Sequence, residues 1–248
     1  MSCCYIALGG NVGDVDETFR WAVARLGRDG PVNVTRFSSE FRTRPVGPNA
    51  GEEFTNAVAE VETDLEPLAL LDLLQDLERR AGRTPGEHWG PRPLDLDLIF
   101  YADQIIDMPR LRVPHPACWY RRFVLDPLAE IASDVLHPAK RVTVGELRLR
   151  LLRRPLVLAL AGSSHAQRQG LHDELLSATR GVEILDWRPD AALESEPTLI
   201  AWLGPHDPPS PGGLVADFQS LPLVPRLDAS TATDKAAFLR GVLEAALG

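Results

Sequence analysis

The chain is poor in cysteine and lysine and has no long apolar run. Its 248 residues include three cysteines and two lysines, Lys140 and Lys235. The odd number of cysteines, two of them adjacent at Cys3 and Cys4, argues against a disulfide framework. No apolar stretch approaches the length of about 20 residues that a membrane-spanning helix needs. We therefore expect neither a disulfide-stabilised small domain nor a membrane protein.

The chain also lacks an excess of positive charge. Its formal net charge is −9 at pH 7, which disfavours broad binding to nucleic acid. The residues from Met1 to Leu8 lack the basic segment and long apolar segment of a signal peptide, so we expect a cytoplasmic protein. Eight arginines are nevertheless concentrated between residues 79 and 122: Arg79, Arg80, Arg83, Arg92, Arg110, Arg112, Arg121 and Arg122. This cluster favours a local anion site, although a solvated surface has the same composition.

The most informative segment, GPRPLDLDLIFY, covers residues 90–101. Side chains alternate across a strand and each residue rises about 3.3 Å, so Asp95 and Asp97 share one face roughly 6.6 Å apart. Two buried acids need a compensating cation, which Arg92 or a magnesium ion could supply. An exposed strand face with two solvated carboxylates explains the spacing equally well.

The residues that flank the two acids favour a nucleotide site. Trp89 supplies an aromatic ring, Gly90 and Pro91 form a tight turn, and Arg92 offers a guanidinium fork suited to phosphate. All of them lie in one short loop that enters the strand. A stacking ring and a phosphate-binding fork beside metal-binding acids are the groups that a bound nucleotide requires.

Residues 1–154 contain the pattern strand, helix, strand, strand, helix, strand. The pattern predicts strands at 5–8, 32–43 (one bent strand or a pair), 54–61 and 94–101, with helices at 15–26 and 68–80 and a short closing helix at 123–131. In the second helix the leucines recur at helical spacing, so Gln75 and Glu78 project from one side. Short connections without repeated βα units predict an α+β fold, namely a ferredoxin-like α/β sandwich with an antiparallel sheet.

The tail from residue 155 differs in character. Leu156–Ala161 is a continuous apolar run, which is typical of a buried parallel strand. Further strands are predicted at 182–185 and 198–203, and helices at 168–178 and 236–247. The sequence therefore predicts two domains, residues 1–154 and a smaller α/β domain with a parallel sheet at residues 155–248.

Seven short motifs follow one another along the first domain. They are YIALGGN (5–11), FRTRPVG (41–47), FTNA (54–57), GR (82–83), WGPRPLDLD (89–97), VPHP (113–116) and FVL (123–125). In this order they resemble the 6-hydroxymethyl-7,8-dihydropterin pyrophosphokinases of folate biosynthesis. That family transfers pyrophosphate from ATP to the hydroxymethyl oxygen of the reduced pterin and releases AMP. The resemblance implies an ATP-dependent diphosphotransferase with two magnesium ions and these two small-molecule substrates.

The resemblance also implies site residues. Asp95 and Asp97 would hold the magnesium ions, and Arg83, Arg92 and Asp97 would be catalytic, with Asp97 orienting or deprotonating the hydroxyl group. The implied ATP-binding residues are Gln75, Glu78, Trp89, Arg92, Leu98, Arg110, Arg112, His115 and Arg121. The implied pterin-binding residues are Thr43, Pro45, Val46, Phe54, Asn56, Trp89, Asp95 and Phe123. Aromatic rings can sandwich a heterocycle and an amide can bind its edge, although Phe54 and Phe123 as core residues and Asn56 as a bulge cap are equally ordinary.

The sequence departs from the family pattern in two loops. The family loop usually reads G-R-x-R-x-x-R-W-G-P-R, whereas here Pro85 and His88 replace the second and third arginines. Ala117, Trp119 and Tyr120 stand where the family commonly has more polar residues. The loss of arginines leaves open an alternative function, a catalytically weakened protein that binds nucleotide and pterin or another partner.

The tail resembles a degenerate P-loop nucleoside kinase more faintly. Gly162 follows the buried strand at the place of the first P-loop glycine, but Gln167, Arg168 and Gln169 occupy the places of Gly, Lys and Ser or Thr. Such a loop lacks the groups that wrap phosphate and bind magnesium. We therefore expect structural packing or a homodimer through this second domain rather than chemistry.

Overall fold

The computed structural model describes residues 1–28, 31–46, 51–83, 90–188, 195–205, 217–221 and 225–248. The chain divides into two compact units, Met1–Arg148 with Gly248, and Leu149–Leu247. Over the described ranges, no helix is both long enough and apolar enough to cross a membrane.

The first unit contains one main antiparallel sheet and its helices. Its elements in chain order are β1 (Ser2–Gly10), α1 (Val15–Arg28), β2 (Val32–Phe37), β3 (Phe41–Thr43), β4 (Phe54–Thr63), α2 (Pro67–Arg80), β5 (Asp95–Tyr101), β6 (Ile106–Asp107), β7 (Arg112–Val113) and α3 (Arg122–Ala132). The main sheet has the order β2-β4-β1-β5, and β3 also pairs with β4. β6 and β7 form a separate two-stranded sheet. The pattern strand, helix, strand, strand, helix, strand is confirmed, with residues 32–43 forming two strands.

Helices α1 and α2 bury their apolar faces in one core with the main sheet. α2 begins with Pro67 in its first turn, where the missing N–H costs nothing, and ends near Gly82, whose φ is +94°. Leu70, Leu74 and Leu77 of α2 are buried in this core. Burial of a leucine side chain contributes about 2 kcal/mol, so these positions anchor the helix beside β5.

The second unit contains a parallel sheet, which confirms the mixed α/β class of the chain. After α4 (Val144–Leu152), which includes the boundary between the units, follow β8 (Leu156–Ala161), α5 (His165–Ala178), β9 (Val182–Asp186), β10 (Leu199–Trp202), a 3-10 turn (Phe218–Ser220), β11 (Arg226–Asp228) and α6 (Lys235–Leu247). The strand order is β11-β10-β8-β9, with every pair parallel. β8 is buried along its whole length, as its apolar run predicts.

The loop after β8 differs from a P-loop. Ser164 caps α5 in a capping box with Gln167, so the helix already begins at His165. Arg168, at the place of the P-loop lysine, lies on α5 and donates hydrogen bonds to the carbonyl oxygens of Gly162 and Ser163 at 2.7 and 2.8 Å. The loop after β8 is thus a short helix cap, in line with the expectation that it lacks the groups of a phosphate-binding P-loop.

Candidate active site

The candidate site lies where the ends of three neighbouring strands meet in the first unit. Gly9 of β1 pairs with Asn56 of β4 on one side and with Asp95 of β5 on the other. Position 10, the next residue of β1, requires glycine, because a Cβ atom there would lie 2.6 Å from the carbonyl oxygen of Pro93. The register of β1 therefore places Asn56 of β4 and Asp95 of β5 on either side of Gly9.

A cavity of about 270 Å³ lies at this end of the sheet. Five of its six charged lining residues were predicted from sequence, namely Arg83, Arg92, Asp95, Asp97 and Arg121, whereas the sixth, Arg44, was not. Its other predicted lining residues come from the pterin set: Thr43, Val46, Phe54, Asn56 and Phe123. The fold thus brings ten of the predicted site residues, from five separate parts of the sequence, around one cavity.

Asp95 is the centre of a charge network. Its Oδ1 lies 2.6 Å from Arg83 Nη1 and 3.3 Å from Arg92 Nη1. Burial and the neighbouring Asp97 raise the pKa of Asp95, while the two arginines act in the opposite direction. In the part of the chain that the structure describes, the buried Nε of Arg92 has no hydrogen-bond acceptor. The network therefore combines closely spaced carboxylates with an arginine that can still bind an anion.

Glu78 supports this network from α2. Its Oε1 accepts a hydrogen bond from the backbone N–H of Leu96, between the two aspartates, at 2.8 Å and also pairs with Arg83. Burial raises the pKa of Glu78 to about 7, and the nearby Asp95 and Asp97 act in the same direction. Glu78 is buried, whereas Gln75 is exposed. The two residues that were expected to project together thus have different environments.

Asn11 is a site residue that sequence reasoning did not select. The backbone N–H of Arg92 donates to Asn11 Oδ1 at 2.9 Å, and the backbone N–H of Asn11 donates to the Arg92 carbonyl oxygen at 2.9 Å. Asn11 Nδ2 also donates to the carbonyl oxygen of Glu52 at 3.2 Å. The signal was the Gly-Gly-Asn sequence that ends β1, because an asparagine after a strand can bind the backbone of loops on both sides.

His115 faces the second aspartate. Its Nε2 lies 4.0 Å from Asp97 Oδ2, and its backbone N–H donates to the carbonyl oxygen of Ile99 at 3.0 Å. Burial lowers the pKa of His115, and Arg121 adds to this effect while Asp97 opposes it. His115 therefore lies beside Asp97, which lines the cavity, although His115 itself is not one of the lining residues.

The predicted pterin residues combine aromatic rings with a buried amide. Asn56 is 6% exposed, and its Nδ2 donates to Thr43 Oγ1 at 2.9 Å. The guanidinium carbon of Arg92 lies 5.8 Å from the centroid of the Phe54 ring. The guanidinium carbon of Arg121 lies 5.5 Å from the centroid of the Phe123 ring. Cation–π contacts of this length join the aromatic and the basic residues of the cavity.

The remaining predicted site residues lie elsewhere or outside the described residues. Arg110 pairs with Asp72, and Arg112 pairs with Asp107 at 3.0 Å on the exposed surface. Leu98 is buried in the core. Pro45 lines a neighbouring cavity together with Asn11 and Arg42. Trp89 and the two loop departures, Pro85 and His88, lie outside the described residues.

Comparison with known proteins identifies the family. Residues 5–133 match the family model described as 7,8-dihydro-6-hydroxymethylpterin-pyrophosphokinase (HPPK). The chain is 45% identical to the 2-amino-4-hydroxy-6-hydroxymethyldihydropteridine pyrophosphokinase of Bacillus subtilis over 131 residues, which are 53% of this chain and 78% of that protein. The enzymes of the same name from Synechocystis (42% identity, 57% of this chain, 72% of that protein) and Haemophilus influenzae (39%, 57% and 89%) are also similar. The chain belongs to the 7,8-dihydro-6-hydroxymethylpterin-pyrophosphokinase family.

Proposed function

We propose that the cavity at the ends of β1, β4 and β5 is where this family's reaction takes place in this chain. The chain transfers pyrophosphate from ATP to 6-hydroxymethyl-7,8-dihydropterin and forms the pterin diphosphate and AMP in folate biosynthesis. The observation that supports the location most strongly is that Asp95, Asp97, Arg83 and Arg92 surround one cavity beside the predicted pterin residues. Transfer of a highly charged group needs such positioning and charge neutralisation.

Asp95 and Asp97 fit a magnesium site in the proposed function. They are oxygen donors on one face of β5, and both line the cavity. Among the described residues, no group of three or more His, Cys, Asp or Glu side chains could hold a metal ion. Two carboxylates suit magnesium, which keeps waters and binds substrate phosphates alongside few protein ligands. When bound, the two expected ions neutralise the phosphate charge.

The proposed catalytic residues act on the group that is transferred. The hydroxymethyl oxygen forms a bond to the β-phosphorus of ATP, and the bond from that phosphorus to the α,β-bridging oxygen breaks as AMP leaves. Arg83 and Arg92 stabilise the negative charge on the transferred oxygens, which is supported by the free Nε of Arg92 among the described residues. Asp97 orients the hydroxyl group and accepts its proton, as expected for a carboxylate at the cavity edge.

The proposed substrate contacts divide into a pterin set and an ATP set. Phe54, Phe123, Asn56, Thr43 and Val46 bind the pterin, because they offer flat rings and a buried amide to a flat heterocycle with mixed donors and acceptors. His115 and Arg121 bind the phosphates and ribose of ATP. The roles of the other implied residues stay predictions from the resemblance: Pro45 and Trp89 for the pterin, and Gln75, Glu78, Trp89, Leu98, Arg110 and Arg112 for ATP.

The proposal extends to the organisation of the chain. The order β2-β4-β1-β5 with antiparallel neighbours supports a ferredoxin-like classification of residues 1–154 as the pterin pyrophosphokinase domain. Residues 155–248 form a second domain without P-loop chemistry, because Arg168 is bound by its own loop carbonyls and by Asp186. A homodimer through this domain and a cytoplasmic location stay predictions.

A magnesium titration of the full chain tests the proposal. We expect pterin-dependent formation of AMP from ATP in the parent, and a loss of at least about 100-fold in kcat in Asp97→Asn at every magnesium concentration. Asp103→Asn is the matched control, because Asp103 is an exposed acid that follows the same strand. Parent-like kcat and magnesium dependence in Asp97→Asn would show that the site lies elsewhere.

A further inference from the structure

The loop that carries His115 and Arg121 is irregular, and the buried residues Ala117 and Cys118 donate hydrogen bonds to His115 within it. It joins β7 to α3 and contains neither helix nor strand from Pro114 to Arg121. Its first part is held by the hydrogen bond from the His115 N–H to Ile99, and its end by the first turn of α3, where the Val124 N–H donates to the Arg121 carbonyl at 3.1 Å. Between these points the loop contains Trp119.

Trp119 ties the middle of the loop to the segment that follows α3. Lys140 Nζ lies 3.2 Å from the centroid of the Trp119 ring, close enough for a cation–π contact. The Trp119 ring also lies 5.9 Å from the ring of His137, centroid to centroid. Trp119 Nε1 donates a hydrogen bond back to the carbonyl oxygen of Pro116, which closes the loop on itself.

His137 connects this cluster to the strand that carries the two aspartates. Its ring meets the ring of Phe100 in β5 edge to face, at 5.4 Å and an interplanar angle of 78°. Phe100 and His137 are 1% and 3% exposed, so both rings are held by the core. Trp119 thus rests on a rigid part of the first unit, while the chain on either side of it carries residues of the site.

We propose that Trp119, held by Lys140 and His137, is a positioning residue for ATP in this chain. It acts through the loop backbone, which sets the places of His115 beside Asp97 and of Arg121 at the cavity wall. Trp119 also stands where the family pattern commonly has a more polar residue, so this device belongs to this chain rather than to the shared motifs. The inference rests on the proposed roles of His115 and Arg121 in ATP binding.

Steady-state kinetics of the full chain, with ATP and pterin varied separately, test this inference. We expect Trp119→Ala to raise the KM for ATP about tenfold while the KM for the pterin changes less than about twofold, because only the ATP-binding loop loses its support. Trp119→Phe keeps an aromatic ring and is expected to return the KM for ATP to within about threefold of the parent. Lys140→Met keeps much of the aliphatic chain but removes the charge, and we expect it to raise the KM for ATP about threefold.

The controls separate this inference from its alternatives. Phe218 in the second unit lies 5.1 Å from Arg226 in a comparable aromatic–cation pair, and Phe218→Ala is expected to leave both KM values unchanged. An unchanged KM for ATP in Trp119→Ala, or an equal loss for both substrates without rescue by phenylalanine, would overturn the positioning role. Arg121→Ala separates a failure of the positioning role of Trp119 from a failure of the proposed ATP site. An unchanged KM for ATP in Arg121→Ala would refute the proposed ATP site itself.

Discussion

The two sheets of this chain use charged residues in opposite ways. In the first unit, Arg83 and Arg92 share one oxygen of Asp95, and the Nε of Arg92 has no acceptor among the described residues. In the second unit, Arg168 pairs with Asp186 and also donates to two loop carbonyls, so its hydrogen-bonding capacity is largely used inside the unit. A charge network whose partners are incomplete can bind a ligand, whereas one that is internally satisfied stabilises a fold. The difference lies in the partners rather than in the residue types.

Among single substitutions that compare the two units, we expect the largest effect from removing Arg92 of the first unit, and none on turnover from removing Arg168 of the second. We expect Arg92→Ala to lower kcat by about 100-fold or more, because charge that develops on the transferred group loses its donor. We expect Arg168→Ala to leave kcat within about twofold, but to destabilise its region by about 2 kcal/mol, because two loop carbonyl oxygens lose their donor and Asp186 loses one of its partners. Turnover assays and hydrogen exchange of peptides from β8 and α5 measure the two effects. A fall in kcat in Arg168→Ala comparable to that in Arg92→Ala would break the comparison.

A smaller effect is expected from a buried polar side chain in each unit. Asn56→Ala should raise the KM for the pterin about tenfold and leave that for ATP nearly unchanged, since the amide lines the cavity among the proposed pterin residues. Thr198 is also buried, and its Oγ1 accepts the Val157 N–H at 3.3 Å. Thr198→Val should cost about 1 kcal/mol of stability and change neither KM. Equal effects of Asn56→Ala on the two substrates would contradict the division into a pterin set and an ATP set.

A buried histidine of the first unit makes folding stability depend on pH. Burial lowers the pKa of His137 from 6.5 to about 4, so between these values the unfolded chain binds the proton and the folded chain does not. The contribution of His137 to stability is therefore lost as the pH falls from about 6.5 towards 4. At pH 5 this loss is about 2 kcal/mol relative to pH 7, and His137→Phe should remove it. Urea unfolding of parent and variant at both pH values checks this, and identical pH dependence would contradict it.

The sequence predicted the elements better than the environments of single residues. Strong periodicity located α1, α2 and the main strands, and the glycine-ended first strand was clear from its motif. β11 was missed because a three-residue strand between loops has too few residues for a periodic signal. α4 was missed too, as its nine residues present a weakly segregated pattern with Leu149 exposed.

The candidate site was predictable where function depends on strand alternation and less so where it depends on tertiary contacts. The period of two predicted that Asp95 and Asp97 share one strand face, and the resemblance to the family selected them as site residues. The burial of Glu78 behind β5 depends on how α2 packs, and the role of Asn11 depends on two loops that are distant in sequence. The inward orientation of Arg168 depends on where α5 begins, which its Ser164 cap decides. No local pattern could supply these contacts.

The most direct test of the central claim, that the reaction takes place in the first unit, compares paired acids in the full chain. The measurement is the initial rate of pterin-dependent AMP formation from ATP with saturating magnesium. The account predicts a rate at least about 1000-fold below the parent for the double variant Asp95→Asn/Asp97→Asn, and a rate within about twofold of the parent for Asp186→Asn. Substantial turnover in the double variant, or its loss in Asp186→Asn while the protein stays folded, would contradict it.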